Sequence, residues 1–134
     1  LHRVDRRQRQ MCIRDRLNIL KNKLPIWYAP DQDLGVDKCV FAPFFDIQTA
    51  TVSATARLAK YENTVVIPFF FNRTESGYSM NFEAPIDNYP NADATISATI
   101  TNKILETQIL KYPEQYLWIH KRFKTRPEGE SDFY

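Results

Sequence analysis

The feature that most constrains this chain is a set of short apolar runs, each the length of a β-strand. "PIWYA" (25–29), "CVFAPFF" (39–45) and "TVVIPFFF" (64–71) are rich in aromatic and branched residues. The longest uninterrupted stretch, Val65 to Phe71, is far shorter than the ~20 residues that cross a bilayer as a helix. Strands that are apolar nearly throughout are covered on both faces, the pattern of parallel sheets flanked by helices. The text between the runs supplies those helices. "LNILKNKLP" (17–25) predicts the last turns of a helix that stops before Pro25, because a residue preceding proline is pushed out of the helical region. Asp46 is placed to cap a helix over "IQTATVSATARLAKYE" (47–62), in which Ala50, Ala54 and Leu58 at i, i+4 and i+8 form a small-residue face. Pro68 marks a bulge or the end of the third strand. "NRTESG" (72–77) is a turn, and Tyr78, Met80, Phe82 and Ala84 alternate with polar neighbours as in an antiparallel hairpin partner.

Further along, Ile96, Ile100, Ile104, Leu105, Ile109 and Leu110 trace a helical face through residue 111. Pro113 then opens a short final helix, where proline is tolerated in the first turn, and Pro127 and Gly129 end it. On that helix Tyr116, Ile119 and Phe123 share one side, and Lys121, Arg122, Lys124 and Arg126 the other. The order of elements predicts an α/β fold, an αβα sandwich around a mainly parallel sheet with one antiparallel hairpin and C-terminal helices.

A chain of 134 residues makes one domain. Its 43% hydrophobic and 25% charged content argues against global disorder. Cys12 and Cys39 provide neither a disulfide framework nor metal-ligand spacing, which fits a reducing, cytosol-facing compartment. No signal peptide is visible in the Arg-rich opening. The charge is uneven. Residues 1–16 carry six Arg and two Asp, a net of +4, which leaves 12 basic and 14 acidic side chains, a net of −2, for the other 118. A basic head of this kind is ordinarily a nucleic-acid-binding arm. However, "MCIRDR" (11–16) looks like a translated transposon-end adapter from a sequencing library. The head is therefore expected to be an artefact or a disordered basic tail, and residues 17–134 part of a single domain.

"WYAPDQDLG" (27–35), "VFAPFF" (40–45), "ARLA" (56–59), "VVIPFF" (65–70) and "PEQYLWIHKRFKTRPEG" (113–129) occur in this order. With them the chain resembles the C-terminal half of the bacterial lipid A biosynthesis acyltransferases, the lauroyl and myristoyl transferases. The resemblance covers residues 17–134 and implies a partial glycerol-phosphate-acyltransferase-like sandwich. It also implies an enzyme on the cytoplasmic face of the inner membrane of Gram-negative bacteria. That enzyme moves an acyl chain from acyl carrier protein to a hydroxyl of a lipid A precursor. The family's catalytic motif is a histidine followed five positions later by an acid. Here His2 is followed at that distance by Arg7 and His120 by Thr125, so no catalytic residue is expected in this chain, which alone should be inactive. No cofactor, metal or nucleic-acid partner is expected. Asp46 stands where many relatives carry Gly, which leaves the geometry of that turn open.

Asp31 and Asp33 lie in a loop after the first apolar run, where α/β folds place their sites. Two carboxylates at i and i+2 hold a polar group or close an Asx turn before Gly35. The resemblance favours a site role for Asp31, shaping the acceptor site and holding nearby cations, and less strongly for Asp33. Arg122, Lys124 and Arg126 are candidates to bind the anionic headgroup of the acceptor or the anionic bilayer surface; the plainer alternative is a solvated helix end. Trp118 and Phe123 read as core or interfacial anchors and His120 as a hydrogen-bonded structural residue. Arg57 is expected to face the site or to pair with a carboxylate such as Glu62. Cys39 reads as a small core residue. Two rivals remain: a non-catalytic module that binds anionic membranes or nucleic acid through the basic segments, with binding that weakens steeply in salt, and a non-catalytic relative kept as a partner subunit.

Overall fold

A computed structural model describes residues 15–134. Residues 15–21 are helical (α1) and include Asp15 and Arg16 of the basic head. The helix stops as expected before Pro25, and the reason is local. Lys23 takes the left-handed conformation (φ 57°), with Lys23 N–H donating to Leu20 C=O at 2.9 Å and Leu24 N–H to Ile19 C=O at 3.1 Å. These are the paired closing bonds of a Schellman motif. The predicted strand over 25–29 does not form: residues 24–35 are irregular, and a short 3₁₀ turn, Val36–Lys38, leads into the first strand.

Strand β1 (Cys39–Phe44) pairs antiparallel with β2 (Ile47–Val52), Phe41 opposite Ala50 and Phe44 opposite Ile47. Residues 47–52 were expected to begin a helix capped by Asp46; instead the helix (α2) is confined to Ala54–Ala59. The β-branched run in "IQTATV" favours a pleated strand. The turn that makes the hairpin has Phe45 (φ 48°) and Asp46 (φ 60°) both left-handed, the signature of a two-residue type I′ turn. Pro43 is tolerated because its position faces outward, its carbonyl accepting from Asn102 Nδ2 at 2.9 Å; no ladder N–H is needed there.

Strand β3 (Phe69–Thr74) pairs antiparallel with β4 (Gly77–Phe82). The expected hairpin forms with shifted bounds: residues 64–68 of the predicted strand are irregular, and Asn72 to Thr74, expected in the turn, extend β3. Two bonds run ahead of it, Glu83 N–H to Pro68 C=O and Ile86 N–H to Val66 C=O, both 3.0 Å. Helix α3 (Ala94–Lys111) starts at Asp93, whose side chain accepts from Thr95 N–H at 2.7 Å, an N-cap. It packs chiefly on β1. Beyond it the predicted final helix is replaced by two 3₁₀ turns, Pro113–Gln115 and Trp118–His120. Phe44, Ile109 and Phe123 form the buried core, with Phe45, Ile47, Leu105 and Tyr116 packed against it.

The protein is thus α/β, with two two-stranded antiparallel sheets; among the described residues no parallel pairing occurs. The buried stripe of α3 also departs from its apolar face. It runs through Ser97, Ala98, Asn102, Glu106 and Ile109, while Ile96 and Leu110 are exposed. The helix lies along a strand edge whose backbone groups need partners, so polar side chains are buried where a sheet face would select apolar ones.

Candidate functional site

The loop carrying Asp31 and Asp33 and the segment 122–126 converge on the free edge of β2. Asp33 is 4% exposed. Its Oδ1 accepts from Gly35 N–H at 3.0 Å and from the Thr125 hydroxyl at 2.8 Å, and its Oδ2 accepts from Thr125 N–H at 2.8 Å. The first of these is the Asx turn anticipated from the sequence. The other two tie the loop to a strand of chain 92 residues away, with charge-assisted bonds in the interior. Gly35, at φ 78°, supplies the left-handed residue at which the loop turns back.

Arg122 is the largest fully buried side chain, at 1% exposure. It was expected on the solvated side of a helix; the chain instead turns at Lys121 (φ 53°) and carries Arg122 inward. Its Nη1 donates to Ala50 C=O at 2.6 Å, and its Nη2 to Thr51 Oγ1 at 3.0 Å and Asn102 Oδ1 at 3.4 Å, with the guanidinium 5.1 Å from the Phe44 ring centroid. Arg126 Nη1 donates to Gln48 C=O at 2.7 Å and its Nη2 bonds Glu130. The two arginines therefore satisfy the outward carbonyls of Gln48 and Ala50 on β2, and α3 meets the opposite edge, where Asn102 Nδ2 donates to Pro43 C=O of β1 and Glu106 accepts from the N–H of Phe45 in the turn at 2.8 Å. An open strand edge is managed here by side chains rather than by another strand.

Asp31 behaves differently from Asp33. It is half-buried, and no hydrogen bond to its carboxylate occurs among the described residues. Its charge acts through space on both Tyr116 and Arg122. Burial raises the Tyr116 pKa, and Asp31 raises it further against the opposing Arg122 cation. Burial lowers the Arg122 pKa from its ordinary value, while Tyr116, Asp33 and Asp31 oppose that shift. Tyr116 Oη is 3.2 Å from His120 Nε2, the structural role expected for His120. The Cys39 thiol is raised first by burial and further by Asp33, against a lowering hydrogen bond from the Leu34 backbone and the nearby cations.

The structure thus brings Asp31, Asp33 and Arg122 together and leaves Lys124 exposed outside the group. Arg57 is exposed and forms no ion pair with Glu62 among the described residues. Cys39 is half-buried rather than a core residue. Phe123 is in the core, whereas Ile119, expected beside it, is exposed. His2 and Cys12 lie outside the described residues. No three His, Cys, Asp or Glu side chains are grouped to hold a metal among the described residues. Sequence reasoning missed Thr125 and Asn102. The only available signal for Asn102 was a polar residue in line with Ala98, Glu106 and Ile109 on α3.

Chemically, the arrangement offers a carboxylate without a hydrogen-bond partner among the described residues, in the field of a buried cation and near a partly buried phenol. A general base must reach the proton it removes, and among the described residues the one imidazole, His120, is engaged with the Tyr116 hydroxyl. The comparison with known proteins gives this frame its context. The sequence matches the family described as bacterial lipid A biosynthesis acyltransferase over residues 3–125. The chain belongs to that family. It is 40% identical over 125 residues to the lipid A biosynthesis palmitoleoyltransferase of Escherichia coli K12, covering 91% of this chain and 40% of that protein. It is likewise 40% identical over 116 residues to the E. coli K12 lauroyltransferase, covering 84% of this chain and 38% of that protein. A Haemophilus influenzae lipid A biosynthesis acyltransferase is 40% identical over 123 residues, covering 89% and 40%. The chain therefore spans about two-fifths of the length of the acyltransferases it matches. Both the Asp31/Asp33 loop and the Arg122–Thr125 segment fall within the matched residues.

Proposed function

We propose that this chain is the C-terminal part of an enzyme that transfers an acyl chain from acyl carrier protein to a hydroxyl of a lipid A precursor, at the cytoplasmic face of the inner membrane. The observation that carries this reading is the family match over most of the chain, with relatives named for palmitoleoyl, lauroyl and myristoyl transfer. In the whole protein the two hairpins join a mainly parallel sheet within an αβα sandwich, and residues 17–134 are one part of a single acyltransferase domain. The base that activates the acceptor hydroxyl belongs to the length of the relatives not represented here.

Within this reading the two acids have separate roles. Asp33 is consumed in fixing the loop to Thr125, and Asp31 is the carboxylate available to a polar group of the acceptor. Arg122 acts by bracing Asp31 and the β2 edge from within, and Arg126 by holding the edge further along. Lys124 is the member of the basic cluster that remains accessible to an anionic headgroup. The rival reading as an anion- or nucleic-acid-binding module is weakened by the same geometry, since two of its cations are turned onto backbone carbonyls.

The test is direct. The protein in its full length is incubated with acyl carrier protein charged with lauroyl, myristoyl or palmitoleoyl chains and with a lipid A precursor. Mass spectrometry should show the acceptor gaining one acyl chain. An acceptor of unchanged mass with every donor would refute the reading.

A further inference from the structure

Past Arg126 the chain folds back over the segment that holds the Asp33 loop. The bend is a β-turn in which Glu130 N–H donates to Pro127 C=O at 3.1 Å, with Gly129 left-handed (φ 85°) at its third position. Beyond the bend, residues 130–134 return along residues 121–126. Glu130 pairs with Arg126 Nη2. The Phe133 ring centroid lies 4.6 Å from that of Phe123, Phe123 N–H donates to Tyr134 Oη at 3.4 Å, and Lys121 Nζ sits 5.5 Å from the Tyr134 ring centroid. Charge agrees with this placement, since residues 121–126 carry four cations and residues 127–134 three carboxylate side chains.

Residues 121–126 need such fixing. They form no helix or strand, and their one internal backbone bond among the described residues is Lys124 N–H to Lys121 C=O at 3.2 Å. A segment without a backbone ladder keeps its place through its side chains. On the inner side Arg122 and Arg126 reach the carbonyls of β2, and Thr125 bonds Asp33 through its N–H and its hydroxyl. On the outer side Lys121, Phe123 and Arg126 are each met by residues 130–134. The segment is thus held between the β2 edge and the returning tail, and the tail reaches Asp33 through Thr125, two residues from Phe123. Phe133 and Tyr134 remain 48% and 57% exposed, so they cover the segment without belonging to the core.

We propose that residues 130–134 are a clamp that positions the Asp31–Asp33 loop, with Phe133 and Tyr134 as positioning residues that act through Phe123 and Thr125. The consequence for acyl transfer rests on the reading above that Asp31 meets the acceptor. Two members of the basic cluster thereby gain an internal role, Lys121 and Arg126 holding the tail. Cys39 reports on the clamp independently of any substrate. Its sulfur takes a hydrogen bond from the Leu34 backbone and feels the Asp33 charge, so its accessibility follows the loop.

The full-length protein and its variants are pulsed with iodoacetamide at constant pH, and labelling of the peptide containing Cys39 is read by mass spectrometry. Phe133→Ala and Tyr134→Ala should each speed labelling about fivefold, and Phe133→Leu should restore most of the protection. Glu130→Gln, at an exposed position, should speed it about twofold. Thr125→Val should also speed labelling, and its combination with Phe133→Ala should fall short of the product of the two effects, because both loosen one clasp. Independent losses of stability would multiply instead. In acyl transfer, Phe133→Ala should raise the KM for the lipid A precursor about fivefold and leave that for the acylated carrier protein unchanged. Unaltered Cys39 labelling in Phe133→Ala, or effects that multiply with Thr125→Val, would overturn the proposal. Labelling needs no substrate. An unsubstituted protein without acyl transfer, or an unmoved acceptor KM beside faster labelling, therefore counts against the enzymatic reading and not against the clamp.

Discussion

Asp33 to Asn is nearly isosteric, yet it should be among the most damaging single changes in the loop. The carboxylate accepts three hydrogen bonds, from Gly35 N–H, Thr125 N–H and the Thr125 hydroxyl. An amide has one acceptor oxygen, so either its NH₂ faces the Thr125 N–H or, flipped, it faces the Gly35 N–H; in both cases a buried donor is orphaned. Such an orphan costs about 1–3 kcal/mol, and bonds to a charged acceptor are each worth about 1.5–3 kcal/mol. Loss of the negative charge near the buried Arg122 adds to this. A total of about 2–4 kcal/mol follows. Thr125→Val removes only the hydroxyl and should cost about 1–2 kcal/mol. The two changes share one clasp, so their combined effect should fall short of the sum. Pulse proteolysis in urea at low protein concentration, where aggregation is slow, gives each value. An Asp33→Asn cost below about 0.5 kcal/mol, or strict additivity with Thr125→Val, would refute the clasp.

Other outcomes follow from the same structure. Asp46→Gly should stabilise the protein by about 0.5–1 kcal/mol, because the second left-handed residue of a type I′ turn suits glycine; the Lys103 contact it removes is 3.9 Å long and fully solvated on the Asp side, so urea midpoints should rise. Glu106→Leu orphans Phe45 N–H and should cost about 1–3 kcal/mol, with Glu106→Gln much milder because it keeps that acceptor. The raised Cys39 pKa means that the folded state favours the neutral thiol. This contribution to stability is therefore present below the ordinary value of 9.0 and fades as pH climbs through the raised folded value. With Cys12→Ser, alkylation of Cys39 should inflect above pH 9.0, and an inflection at or below it would contradict the burial. Residues 17–134 alone should be poorly soluble, since Phe71, Met80 and Phe82 lie exposed on one sheet face; a sharp, cooperative, monomeric melt would contradict this.

Local signals carried the elements they could reach. The isoleucine spacing located α3 within two residues, and the alternation over 78–84 found the second hairpin. The first hairpin was hidden because its type I′ turn is Phe45–Asp46, without the Asn-Gly or Asp-Gly pair that announces such turns. The spacing of Ala50, Ala54 and Leu58 then imitated a helix across residues that form a strand. The final segment was misjudged for a longer-range reason. The left-handed Lys121 and the need of β2 for edge partners turn Arg122 inward, and neither is written in the local pattern. The site itself was half legible. The PDQD loop was located, but the division between Asp33, bonded, and Asp31, without a partner among the described residues, depends on Thr125, far away in sequence.

That division is what one measurement tests most directly: acyl transfer by the full-length protein carrying Asp31→Asn, alongside its urea midpoint. A carboxylate that positions the acceptor should, when neutralised, lower turnover about a hundredfold while leaving stability within about 0.5 kcal/mol of wild type. Full activity in Asp31→Asn, or a loss of activity explained by unfolding, would contradict the account.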